Sequence, residues 1–232
     1  MKLELCAAST EAIDLAKELN FDRIELCQSL ENGGLTPSFS LVDYALRSGV
    51  ETHVLIRPRG SSFCYSAAEV ELMVKDIEEL KKLGVSGVVV GCLTANRTID
   101  EKSLVKLLKA AEGLEVTFHR AFDDISGVQD ALDLLIELGV KRVLSSGQSS
   151  TITAGMQTLR GMLEHAEGRI EIMAGGGVTA GNCSQIKDTV NPDAIHFSGT
   201  IKENDSIPSA HSEPLLVINR EKVQGIMQAL AT

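Results

Sequence analysis

The sequence predicts a single closed α/β domain, a (β/α)8 barrel, and three observations carry that reading. Short apolar, β-branched segments alternate with longer amphipathic ones from end to end. Eight such alternations, joined mostly by short connections, call for a parallel sheet, and eight parallel strands close naturally into a barrel. The 232 residues match the roughly 250 typical of one such barrel. A doubly wound open sheet competes with it but usually has about five to seven strands, and no break in the pattern marks a switch point.

The strand candidates are Leu3–Cys6, Arg23–Cys27, Thr52–Arg57, Gly87–Val90, Glu115–His119, Arg142–Ser145, Ile170–Met173 and Ala194–Phe197. Helix candidates lie between them near 10–19, 39–47, 67–83, 100–111, 127–138, 152–166, 180–188 and 219–230. Ser9 and Ser66 stand where N-caps belong, and Gly84, Gly113 and Gly139 follow helical runs as C′ glycines do. The whole of 1–232 reads as one domain, with no repeat or linker dividing it. Its irregular stretch, 199–218, contains Pro208 and Pro214, follows the eighth strand and therefore hangs near the barrel mouth.

Composition excludes several classes of function. A formal net charge of −10, with no Lys/Arg cluster, argues against nucleic-acid binding, which needs a basic surface. No apolar run approaches the ~20 residues that span a bilayer. Met1 leads directly into a strand, so no signal peptide is expected and the cytoplasm is the default location. Cys6, Cys27, Cys64, Cys92 and Cys183 are odd in number and form no CxxC pair, which fits neither a disulfide framework nor a zinc ribbon.

Alternation along the strands then locates a site. Leu3 and Leu5 share one face of the first strand, and Glu4 and Cys6 the other. The second strand sets Ile24 and Leu26 against Glu25 and Cys27. The third sets Val54 and Ile56 against His53, Leu55 and Arg57, the fifth Val116 and Phe118 against Thr117 and His119, the eighth Ile195 and Phe197 against Ala194, His196 and Ser198. The apolar sets suit the helix-covered face, so the polar sets point into the barrel. Buried Glu, His and Arg are costly unless paired. Their recurrence on five strands, mostly at the C-terminal ends, marks either a functional site or an interior ion-pair network.

Individual segments sharpen this reading. Ile56-Arg57-Pro58-Arg59-Gly60 places two guanidiniums at the end of the third strand, suited to a carboxylate or phosphate or to neutralising Glu4 and Glu25. Thr117-Phe118-His119-Arg120-Ala121-Phe122-Asp123 closes the fifth strand with His119 as a candidate general base or metal ligand and Arg120 as an anion contact. Ser145-Ser146-Gly147 and Gly175-Gly176-Gly177 follow strands six and seven, where glycine turns often offer backbone N–H groups to a phosphate. Cys6 and Cys27 are one βα unit apart at matching strand ends. If their strands are in register, both sulfurs reach one soft ion, and thiolates favour Cu(I).

Together Arg23-Ile24-Glu25-Leu26-Cys27, Gly33-Gly34-Leu35-Thr36-Pro37-Ser38, Ile56–Gly60, Thr117–Asp123 and Gly175-Gly176-Gly177-Val178 resemble the hallmark segments of the CutC copper homeostasis family. The resemblance runs from Leu3 to about Ser198 and weakens in the tail. It implies a (β/α)8 barrel, a cytoplasmic protein, a tendency to homo-oligomers, and Cu(I) ligands at Cys6 and Cys27. Departures are Ser61-Ser62 for the more usual Gly-Asp, Ser145 for Thr, and Cys92 for Ala. Copper ligation leaves Arg57, Arg59, His119 and His196 without a role, and two arginines repel a cation.

Two readings therefore stand side by side. One is a copper-binding protein acting through Cys6 and Cys27. The other is a barrel enzyme for a phosphorylated or carboxylated metabolite. In it, Glu25 and His119 exchange protons, and the anion is held by Arg57, Arg59, Arg120, His196, Ser146, Gly147 and Gly175–Gly177. A variant has Glu25, His119 and His196 holding a divalent metal.

Overall fold

Strand alternation sends one set of side chains under the helices and the other into the barrel, and the computed structural model, which describes residues 1–203 and 215–231, realises both sets. Strands β1 (Lys2–Ala7), β2 (Arg23–Leu26), β3 (Thr52–Leu55), β4 (Gly87–Val90), β5 (Glu115–Phe118), β6 (Arg142–Ser145), β7 (Glu171–Gly175) and β8 (Ala194–Phe197) pair in chain order into a closed barrel. Helices α1 (Thr10–Glu18), α2 (Phe39–Ser48), α3 (Ala67–Leu83), α4 (Glu101–Ala110), α5 (Val128–Glu137), α6 (Ile152–Ala166), α7 (Cys183–Thr189) and α8 (Arg220–Ala231) form the outer ring. This is a TIM barrel.

The caps foreseen in the sequence are made. Ser9 accepts from the Ala12 N–H, and Ser66 forms a full capping box with Glu69. Gly84 ends α3 in the left-handed conformation. Among the described residues no helix is long and apolar enough to cross a membrane.

The stretch expected to be irregular, 199–218, contains regular structure at both ends. Its ends form β9 (Thr200–Glu203) and β10 (Leu215–Ile218), an antiparallel pair; the centre, 204–214, lies outside the described residues. These strands escape sequence reading because each has four residues and pairs only with the other. Leu216 and Ile218 sit beside Cys6 and Leu30, so the hairpin borders the mouth.

The main core joins the outward strand residues, such as Leu5, Ile24, Val54 and Phe118, to the helices. The barrel interior holds only two small apolar clusters, Cys6–Cys27–Leu55–Val89 and Leu144–Met173–Ala194. Elsewhere it is polar, with Glu4, Arg23, Glu25, His53, Thr117, His119 and Arg142 all buried. The N-terminal end is closed by Arg142. Its guanidinium reaches Glu115 at 2.6 Å, Glu171 at 3.0 Å, Thr117 Oγ1 at 3.1 Å and His53 Nδ1 at 3.3 Å. That half of the interior is an ion-pair network, one of the two alternatives posed by the sequence.

At the start of α6, Gly155 packs directly on the turn after β6, where a Cβ would lie 1.8 Å from the Ser146 carbonyl oxygen. Gly161, two turns on in the same helix, has no atom within 4 Å of that position. Gly155→Ala should therefore cost at least about 1–3 kcal/mol through overpacking. Gly161→Ala should stabilise by about 1 kcal/mol through helix propensity. Urea unfolding of the two variants checks this, and equal effects would contradict the close approach.

Candidate functional site

The polar residues of the C-terminal half surround a cavity of about 190 Å3 lined by Cys6, Glu25, Leu30, Gly33, Leu55, Arg57, Phe63, His119, Arg120, Leu144 and His196. A larger groove of about 440 Å3 between α5 and α6 holds none of the inward-facing strand residues. The inward-facing Cys6, Glu25, Arg57, His119 and His196 gather at the mouth.

Strand register assembles one side of it. Glu4 lies between Arg23 on β2 and His196 on β8, its partners in both ladders. It is ion-paired with the Arg23 Nε–H and hydrogen-bonded to His196 Nδ1 at 2.7 Å. Burial alone would raise its pKa, but His196 and Arg23 hold it at about 2. Burial likewise opposes a charge on His196, yet Glu25, Cys6 and Glu4 hold its pKa well above the ordinary value, so it is an imidazolium at neutral pH. Glu25 is the opposite case: burial, reinforced by Glu4, pushes its carboxyl up to about 7.

Register also corrects the thiol placement. Cys6 is paired with Glu25, not with Cys27, which lies just beyond β2. The sulfurs nevertheless meet, with Cys6 Sγ 3.7 Å from Cys27 Sγ and 3.9 Å from Glu25 Oε1. The hydrogen bond with Cys27, then burial, raises the Cys6 thiol well above its usual range. Cys6, Glu25 and His196 present ligand atoms within 4.8 Å of one another. His119 is not in that group, so the Glu25–His119–His196 metal triad is not assembled.

His119 stands on the other side. Its Nδ1 accepts the Ala121 N–H at 3.1 Å, and burial, then the charge of Arg57, depresses its pKa to about 3. With Nδ1 accepting, the neutral ring carries its proton on Nε2 and presents a hydrogen-bond donor there. Gly91 makes room for it, since a Cβ there would lie 2.3 Å from the ring. Phe63 packs between His119 and Arg57, with ring centroids 4.8 Å apart and the guanidinium 5.0 Å from its own centroid.

The arginines separate. Arg57 lines the cavity while its Nη atoms clamp the carbonyls of Asn32, Gly34 and Ser61 at 2.9–3.0 Å. Arg59 does not reach the cavity. It pairs with Glu69 at 2.5 Å and with the carbonyls of Gly60, Ser62 and Cys64, because strand parity no longer applies past Pro58.

The expected phosphate seat after β6 is already filled. Asp123 accepts from the N–H groups of Ser146 and Gln148 at 3.0–3.2 Å, from both hydroxyls of Ser145 and Ser146, and from Arg120 Nε. Gly147 donates to Ser145. Gly175, Gly176 and Gly177 do not line the cavity; Gly176 lies close under the Arg120 guanidinium, 3.0 Å from where its Cβ would be. Asp123 has no local sequence signal for this role, because its partners come from another strand.

With that geometry in place, relatives can be compared. The family model described as CutC family matches residues 1–201. This chain belongs to the CutC family. A CutC-named protein of Glaesserella parasuis serovar 5 (strain SH0165) is 39% identical over 241 residues, covering 100% of this chain and 99% of its own length. One from Bacteroides thetaiotaomicron is 44% identical over 199 residues, 85% of this chain and 80% of that one. The crystal structure of CutC from Streptococcus agalactiae, named there for copper homeostasis, superposes with a TM-score of 0.80 at 35% identity, over 84% of this chain and 98% of that one. The tail that carries little family resemblance is thus still aligned in the Glaesserella protein. Deoxyribose phosphate aldolase from Aeropyrum pernix, at 16% identity and TM-score 0.64, shares the fold alone.

In this CutC-family barrel Glu25 keeps its proton in the folded state to about pH 7, against 4.5 for the ordinary group. Its contribution to stability is complete below pH 4.5 and is lost as pH rises through 7. Glu25→Gln should therefore be more stable than the wild type at pH 8, with the gap closing towards pH 4.5. Urea midpoints across that range measure it, and a gap independent of pH would contradict the raised pKa.

Proposed function

We propose that this protein binds Cu(I) at its barrel mouth through Cys6 and Cys27, as a cytoplasmic member of its family engaged in copper homeostasis. The observation that carries this is the 3.7 Å contact between two buried thiols on neighbouring strands. Their surroundings suit a soft monovalent ion: Leu55, Val89, Ala8 and Leu30 form the apolar side, and the Glu25 carboxyl stands beside Cys6. Both thiols must release protons on binding, so affinity rises with pH. Five unpaired cysteines fit a reducing compartment, and the family resemblance favours a homo-oligomer.

A second reading, an enzyme or binding protein for an anionic small metabolite, is favoured by a separate observation. Arg57 Nε, His119 Nε2 and Glu25 Oε2 are buried polar atoms of cavity-lining residues with no partner among the described residues. Copper at the thiols satisfies neither of the two donors.

Anaerobic competition with a Cu(I) chelator tests the first reading. The wild type should bind one equivalent, Cys6→Ser and Cys27→Ser should each lose at least about 100-fold in affinity, and the wild-type affinity should climb between pH 6 and 8. Unchanged affinity in the double variant would remove copper from these residues.

A further inference from the structure

Arg57, His119 and Glu25 are 6%, 5% and 6% exposed, and each leaves one side-chain atom unsatisfied. A buried polar group without a partner costs about 1–3 kcal/mol. All three residues line the same cavity, so a ligand there that reaches these atoms completes them.

The three atoms are chemically distinct. Arg57 Nε carries one N–H, its other nitrogens being committed to loop carbonyls. His119 Nε2 carries another, its position fixed because Nδ1 already accepts from Ala121. Two N–H donors, one on a cation, match the two oxygens of a carboxylate. Glu25 keeps its proton to about pH 7, so Oε2 meets a hydroxyl as donor when protonated and as acceptor when ionised. The remaining wall is Leu30, Leu55, Phe63 and Leu144, which suits a short aliphatic body.

Size and charge exclude the larger anions. At about 190 Å3 the cavity falls below the ~300–1,000 Å3 of sites for drug-sized ligands. A phosphate would need the backbone N–H groups of the β6–α6 turn, and Asp123 occupies them. Arg59 is likewise committed elsewhere.

We propose that the mouth cavity binds a short-chain hydroxycarboxylate, its carboxylate on Arg57 Nε and His119 Nε2 and its hydroxyl on Glu25. The proposal rests on the small-anion reading of the site and narrows it to one chemical class. His119 is a binding donor here, held by Phe63 and by the space at Gly91.

Isothermal titration calorimetry of the metal-free protein with glycolate, lactate and 2-hydroxybutanoate, against propanoate and inorganic phosphate, tests it. At least one hydroxy acid should bind with 1:1 stoichiometry. Propanoate should bind at least tenfold more weakly, because it leaves Glu25 unpaired. His119→Leu should lose at least tenfold, and His119→Gln, which keeps an N–H donor, should recover part of it; circular dichroism melts establish that both variants fold. In the wild type, the ligand should shift the ¹⁵N resonance of His119 Nε2.

Phosphate binding tighter than every hydroxy acid would overturn the carboxylate assignment and leave the small-anion reading standing. Hydroxy acids that bind equally well to His119→Leu would place the ligand elsewhere and overturn the proposal. No binding by any of the five anions would overturn the proposal and the small-anion reading together.

Discussion

The buried carboxylate of Glu4 is the constraint on which the mouth of this barrel depends. An unpaired charge at that depth costs several kcal/mol, so it persists only between the partners that strand register sets beside it. Arg23 answers it from β2 and His196 from β8. The rest follows from this triad. His196 is kept charged and oriented through Nδ1. Glu25, next along β2, retains its proton partly because Glu4 is already ionised. Cys6, beyond Glu4 on β1, inherits a neighbourhood of charge on one side and a second thiol on the other.

The triad also divides the interior. Below it, Arg142 gathers Glu115, Glu171, Thr117 and His53 into a closed network with every guanidinium nitrogen engaged. Above it, polar atoms remain unsatisfied around a small cavity. The contrast separates a half of the interior that satisfies itself from one that leaves polar atoms unpaired. Family membership by itself draws no such distinction. Cys6 and the Arg57–His119 wall line one cavity, with Cys27 buried behind Cys6, and the two proposals give these sides different ligands, a soft cation and a small carboxylate.

Most of the mouth was legible in the sequence because period-two alternation survives to each strand end and a residue or two beyond it in β3 and β5. Glu4, Cys6, Glu25, Arg57, His119 and His196 all follow that rule. Arg23 shares the parity of Glu25 and was open to the same reasoning. Arg59 shows where the rule stops, since four residues past β3, beyond Pro58, the backbone has turned and Glu69 captures the side chain. The serine–glycine turn after β6 looked like a phosphate seat because no local pattern announces Asp123, which arrives from the turn after β5. The tautomer of His119 was illegible for a comparable reason: burial and the Ala121 N–H fix its protonation, and neither is visible along the chain. Cys6 and Cys27 met despite a register that pairs Cys6 with Glu25, which only the closed barrel reveals.

The central claim, that Glu4 and Arg23 act as one buried unit supporting the mouth, is tested most directly by a double-mutant cycle. Urea unfolding of Glu4→Gln, Arg23→Met and the double variant gives their coupling energy. The account predicts a coupling of about 2–3 kcal/mol, the double variant being far less destabilised than the two single losses combined. Additivity within about 0.5 kcal/mol would contradict it.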